Sequence, residues 1–408
     1  MIDATLKNQL EAKLDEIDTI VKTNYQQSKE IGALSGLAGL AIFEFYYSRY
    51  KNVPESADAA EEMVTIAFDQ INEGFNIPTF CAGIAGLGWA LQFLAVQDFI
   101  EIDCDEFLVD LDDFLIESMD IDVEQNFYDF LHGMLGIAFY YLYRYQHTSS
   151  TELRARYRQV LSNTIQKLKD TAVVEKDSAK WESYLIRESQ TRGYNLCLAH
   201  GAASIVNFLS RLAGDENFTA EATDLLKKSV TYLLSLENSM DEEKCTFPDW
   251  EYLNGVLQQS GRLAWCYGDI GIAWSVWKAG KALSDDQLTQ KGLDVLISTA
   301  FRRDPEDTKV VDVGFCHGAA GLMHMYSHLY QQTSLDCFQE AADYWAVQTL
   351  EMAIHPNGYA GYMQKRGDTE EPWRAELSML EGVAGIGLSI ISYLSPALSR
   401  WNEAFLID

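Results

Sequence analysis

Proline, positive charge and long apolar runs are all scarce in this 408-residue chain, which has only seven prolines. Proline breaks helix interiors, so its scarcity favours long uninterrupted helices. Lys and Arg number 31 against 61 Asp and Glu, a formal charge of −30. That balance repels phosphate, which excludes nucleic acid as a natural partner and argues against docking on anionic membranes. A cationic peptide would be attracted. No integral membrane segment is expected, because no apolar stretch is long enough to span a bilayer; the run after Gly32 is broken by Glu44 and Arg49. The start, Met1 to Lys7, has neither a basic n-region nor an apolar core, so no secretory signal is expected. The seven cysteines are odd in number and scattered, which suits free thiols or metal ligands in a reducing cytoplasm rather than a disulfide framework.

What is present is a repeat. A cassette of Gly-x-x-Gly followed by Leu or Ile begins at Gly36, Gly83, Gly133, Gly268, Gly318 and Gly382. Another copy at Gly201 has Ser204 in place of the second glycine. Intervals run from 47 to 68 residues, the period of a repeat architecture. Each cassette leads into an apolar, aromatic-rich segment, and amphipathic stretches such as Thr151–Lys169 and Glu221–Leu236 lie between. The alternation reads as an inner apolar helix followed by an outer helix with one wet face. Glycines three apart share a helix side and would let inner helices approach closely. Gly-x-x-Gly alone is a weak signal, but seven evenly distributed copies argue against coincidence. The expected fold is all-α, an (α/α)7 toroid of seven helical hairpins. The longer intervals add about 15–20 residues of loop, too few for an inserted domain. Residues 1–408 are therefore expected to form one domain, with 1–30 as an N-terminal outer helix.

Function shows in the exceptions to the repeat. The residues just before the first glycines include Cys81-Ala82, Leu131-His132, Ala199-His200, Cys266-Tyr267, Cys316-His317 and Leu380-Glu381. Equivalent positions of a closed ring share one mouth, so consecutive repeats would bring Cys266 beside Cys316 and His317. Two thiolates and an imidazole suit Zn²⁺ and leave a fourth position open, as catalytic zinc sites do. Asp129, His200, Arg262 and Tyr267 would line the same rim. Asp129 could instead cap a helix, and Arg262 could pair with a carboxylate. His132 is either a rim residue or a helix-start donor. Cys81, Cys104, Cys197, Cys245 and Cys337 read as small buried hydrophobes. His324 and His328 have i, i+4 spacing but lack the intervening Glu of a metalloprotease motif.

Trp265-Cys266-Tyr267-Gly268, Cys316-His317-Gly318 and Ala199-His200-Gly201, in that repeat, resemble the lanthionine cyclase (LanC-like) family, from Gly36 to about Leu394. The resemblance implies a one-zinc enzyme that adds peptide cysteine thiols to dehydroalanine or dehydrobutyrine, forming (methyl)lanthionine rings in a dehydrated precursor peptide. It implies Cys266, Cys316 and His317 as zinc ligands, His200 as the acid/base group and Asp129 as its helper, with Arg262 and Tyr267 beside the metal. Ser204 and His132 depart from the family pattern without touching the metal triad. No dehydratase-sized segment precedes the repeat, so a separate dehydratase is the expected supplier of substrate. Alternatives that keep the same motifs are glutathione addition to dehydroamino acids and a non-catalytic peptide-binding zinc toroid. A glycan-processing toroid would need paired acids at the rim, and a prenyltransferase a basic diphosphate cluster that is not visible here.

Overall fold

The computed structural model describes residues 2–186, 189–238, 245–367 and 371–408. Seven apolar helices follow the seven cassettes: Leu37–Lys51, Ile84–Val96, Met134–His147, Ala202–Ala213, Asp269–Leu283, Ala319–Thr333 and Val383–Leu394. Amphipathic helices alternate with them: Ala4–Asn24, Pro54–Asn72, Val109–Glu124, Thr151–Thr171, Thr219–Ser235, Asp286–Thr299 and Asp336–Glu351. Burial separates the two sets. Every residue from Val383 to Tyr393 is buried, whereas Thr151–Thr171 buries only Tyr157, Leu161, Thr164, Ile165 and Leu168, a single helical stripe. No helix among the described residues is long and apolar enough to cross a membrane.

The chain clusters into two compact units. One comprises Met1–Ile77, Cys81–Leu94 and Val310–Asp408, and the other Pro78–Phe80 and Ala95–Lys309. In the first unit Leu37–Lys51 pairs with Pro54–Asn72, and Ala319–Thr333 with Asp336–Glu351. There the N-terminal helix Ala4–Asn24 packs on Val383–Leu394, so the last hairpin is completed by the start of the chain. The second unit holds the hairpins opened by Met134–His147, Ala202–Ala213 and Asp269–Leu283.

The long repeat intervals hold small antiparallel sheets rather than plain loop. Ser183–Ile186, Thr191–Asn195, Trp250–Tyr252 and Leu257–Gln258 form one four-stranded sheet in that order. Val173–Glu175 pairs with Ser178–Lys180, and Gln364–Lys365 with Trp373–Arg374.

The cassette glycines act differently from what their spacing predicts. Six of the seven first glycines (36, 133, 201, 268, 318 and 382) are helix N-caps rather than interior positions. At the second glycines, a Cβ would lie 2.2 Å from Ala33 O for Gly39, 1.9 Å from Phe315 O for Gly321 and 2.0 Å from Met379 O for Gly385. In each case the obstructed carbonyl is six residues upstream, so the missing side chain lets the entering loop fold back on its own helix. The neighbouring repeat is also close, with Leu198 Cβ 3.0 Å from a Cβ placed on Gly271. The cassette is a tight turn at a helix start, and the two residues before its first glycine ride on that turn.

Candidate active site

In the second unit the turn residues converge. The carboxylate Oδ2 of Asp129 lies 2.6 Å from Nδ1 of His200. Its other oxygen accepts the backbone N–H groups of Leu131 at 2.7 Å and His132 at 2.9 Å. Asp129 therefore holds the turn ahead of Gly133 rather than capping the helix, whose N-cap is Gly133. Burial opposes charge on His200, but the Asp129 carboxylate and its hydrogen bond outweigh it, and the imidazole pKa is raised. Burial likewise opposes charge on Asp129, yet the attraction of His200 and the hydrogen bonds lower its pKa. The result is a half-buried ion pair whose histidine holds its proton to higher pH than usual. His132 lies in the same turn, its backbone N–H bonded to Asp129 and its ring 6.2 Å from that of His200.

Tyr267 and Cys266 sit on the next turn. The Tyr267 ring is 5.9 Å from His200, and its hydroxyl accepts from Asn195 Nδ2 at 3.0 Å and bonds to the Cys197 sulfur. Asn195 Oδ1 accepts the Cys197 N–H at 3.0 Å, and Cys197 Sγ accepts the His200 N–H at 3.2 Å. Burial pushes both the Tyr267 phenol and the Cys197 thiol upward, so both stay neutral. Cys266 is buried, and its carbonyl accepts the Leu198 N–H at 3.1 Å. Gly268 closes this turn at φ +97°, with a Cβ blocked 1.9 Å from Arg262 O, so only glycine fits. Arg262 is carried differently from the others. Its guanidinium lies near Asp249, where it partly offsets the rise that burial imposes on that carboxyl. Asp129, Asn195, His200 and Tyr267 open on a cavity of about 190 Å³ that Phe127 and Tyr184 also line.

The first unit carries the other two predicted ligands. Cys316 is buried, and its N–H donates to Leu380 O at 2.8 Å. His317 Nε2 lies 3.2 Å from Oδ2 of the fully buried Asp312. A thiol and an imidazole carried on one turn are donors of the kind zinc takes. Cys81, in the same unit, has its sulfur 3.5 Å from Ser35 Oγ and its carbonyl on Leu34 and Ser35, consistent with packing. His324 and His328 stack at 6.2 Å, with His324 against Trp401 at 4.4 Å and its pKa pushed well down by burial. They are core residues, and no third donor joins them in a metal-binding group among the described residues.

Sequence reasoning missed Asn195, Cys197 and Asp312. Asn195 and Asp312 each stand six residues before the first glycine of their cassette, as do Arg262, Glu376 and Glu30. That register was the available signal. Cys197 carried none, because a buried thiol and a small hydrophobe look alike in sequence.

Hairpins opened by glycine turns define the class of fold. The structure matches a solved chain described as nisin cyclase with a TM-score of 0.72 and 17% identity, covering 99% of this chain and 98% of that one. That likeness bears out the all-α (α/α)7 toroid expected from the repeat. Residues 27–406 match the family described as lanthionine synthetase C-like protein, and the chain belongs to it. Among curated proteins, none matches the sequence.

Proposed function

We propose that this protein is a zinc-dependent lanthionine cyclase, with Cys266, Cys316 and His317 together holding one Zn²⁺. Family membership supports the reaction class. The carrying observation is the Asp129–His200 pair at 2.6 Å beside the Cys266 turn. A backbone rule supports the ligand set. Leu198 N–H donates to Cys266 O, Cys316 N–H to Leu380 O, Leu380 N–H to Leu34 O and Leu34 N–H to Cys81 O. Each bond ties the turn of one repeat to the equivalent turn of the next. The proposed ligand set supposes the same tie between the turns of the fifth and sixth repeats, which carry Cys266 and Cys316.

Zinc, when bound, supplies a Lewis acid that holds a peptide thiol as thiolate near neutral pH, against an ordinary thiol pKa of about 8.5. Everything else falls to the chain. The incoming sulfur forms a bond to the β-carbon of a dehydroamino acid, the double bond breaks, and its electrons pass to an enolate. His200, protonated through Asp129, delivers a proton to the α-carbon, so the S–H has added across C=C with no other reagent. The neutral Tyr267 hydroxyl is the proposed hydrogen-bond donor to the enolate oxygen, supported by its ring lying 5.9 Å from His200. The proximity of Arg262 to Asp249 makes it the weaker candidate for that role. The substrate is a dehydrated precursor peptide, whose dehydroamino acids come from a separate dehydration reaction.

Incubating purified protein with a dehydrated, cysteine-containing peptide, with and without glutathione, tests this. Loss of peptide thiols at unchanged peptide mass is the expected result. Glutathione adducts without rings would favour the glutathione reading, and no thiol loss would leave only a binding role.

A further inference from the structure

We infer that, on the cyclase reading above, a second cavity beside that of His200 is a recognition subsite: Gln125, Phe127, Tyr184 and Gln190 receive an uncharged side chain of the substrate peptide, one flanking the reacting residue. All of these residues lie within one compact unit.

The second cavity has a volume of about 200 Å³ and is lined by those four side chains. Phe127 and Tyr184 also line the cavity onto which Asp129, His200 and Tyr267 open. The two spaces share this aromatic wall, so whatever fills one is next to whatever fills the other. In an extended peptide each residue advances about 3.3 Å and alternate side chains fall on the same side. A peptide with its dehydroamino acid at His200 therefore brings a flanking side chain to the shared wall. None of the four lining side chains is charged, in a chain of formal charge −30. Two rings and two amides can cover an apolar or amide-bearing side chain, whereas a charge placed there would lose water without gaining a partner. The Arg192 guanidinium, 4.9 Å from the Tyr184 ring, is itself 2.7 Å from a Glu182 carboxylate oxygen, so its charge is already matched.

Both sides of the wall are set before a peptide arrives. The helix Val109–Glu124 ends in a Schellman turn. Asn126 is left-handed at φ 54°, its N–H donates to Val123 O at 3.0 Å, and the Phe127 N–H reaches back to Asp122 O at 2.8 Å. Gln125 and Phe127 flank that locked residue. Phe127 also stands six residues before Gly133, and its carbonyl accepts the Met134 N–H at 3.1 Å. It is the third repeat's equivalent of Asn195, so both cavities draw on one register. Opposite, Tyr184 lies on the outermost strand of the four-stranded sheet and is paired with Arg192 of the next strand. Tyr184 is 41% exposed. A fixed aromatic surface left open beside a reacting cavity is what a peptide anchor needs.

The test is binding of a dehydrated peptide whose cysteine is replaced by alanine, so that no ring can close. The residues flanking its dehydroalanine are varied in turn among Leu, Gln, Asp and Lys. Wild type is expected to bind the Leu and Gln forms about tenfold or more tighter than the Asp and Lys forms at one flanking position. Gln125 and Gln190 are exposed and accept lysine without repacking, so Gln125→Lys/Gln190→Lys should turn the preference at that position toward Asp; Gln190→Lys alone serves if the double variant does not fold. Equal binding of all forms by wild type, or an unchanged order in the variant, would overturn the subsite. Ring closure by the cysteine-containing peptides is followed on the same samples. Rings formed with no regard to the flanking residue would overturn the subsite and spare the cyclase reading. Selective binding with no ring from any peptide would support the subsite and sink the cyclase reading.

Discussion

Each compact unit contains one carboxylate–histidine pair, and the two are built on opposite ring nitrogens. Asp129 meets Nδ1 of His200 at 2.6 Å, whereas Asp312 meets Nε2 of His317 at 3.2 Å. The first pair joins different repeats, 71 residues apart, and its histidine side chain keeps 27% exposure beside a cavity. The second lies within a single turn, and its histidine is 13% exposed. Under the proposed function the same chemical pairing would serve two tasks. A ring that must gain and lose a proton needs a reachable edge and a partner that favours its charge. A ring that must hold a metal needs a rigid local partner and a neutral tautomer.

The sharpest way to break this comparison is to remove each histidine. His200→Ala should lose roughly 10²–10⁴-fold in the rate of thioether formation while keeping its zinc, measured by turnover and metal content on one sample. His317→Ala should lose zinc and rate together. If His200→Ala also lost its zinc, the division of labour would be wrong.

Next in size is Asp129→Asn. Without the carboxylate, burial dominates and the His200 pKa drops. The rate should fall on the order of tenfold near neutral pH, less than the roughly 10²–10⁴-fold of a whole general-acid contribution. The alkaline limb of the pH–rate profile, where His200 loses its proton, should move to lower pH. An unmoved limb would show that His200 does not set it.

The pair should also leave a mark on stability. A raised His200 pKa stabilises fully below the unfolded value of about 6.5, and a lowered Asp129 pKa stabilises fully above about 3.9. The contribution is therefore full between those values. It fades upward until the raised His200 pKa is passed and downward until the lowered Asp129 pKa is passed. Denaturant midpoints of wild type minus Asp129→Asn, taken across pH, should trace that window. His132→Ala should have the smallest effect, a few-fold in rate at most, because its backbone hydrogen bond to Asp129 survives the change.

Much of this arrangement was legible beforehand, for identifiable reasons. The glycine cassettes mark helix starts because a tight turn tolerates no Cβ there, and the residues just before them ride on that turn. Cys266, His200 and Tyr267 could be placed together on that basis, as could the pair Cys316 and His317. The role of the glycines was read only in part: spacing suggested close approach between repeats, and Gly39, Gly321 and Gly385 also accommodate their own entering loops. The small sheets were not legible, because strands of two to five residues are too short to show alternation. Asp312, 3.2 Å from His317, escaped because it looks in sequence like any other acid in a chain with 61 of them.

Metal analysis of wild type beside Cys316→Ala asks most directly whether the thiols and imidazole of the two units act as one centre. One zinc per wild-type chain and none in the variant is the expected outcome. A wild type purified without chelators that holds no zinc, or a variant that keeps its full complement, would contradict it.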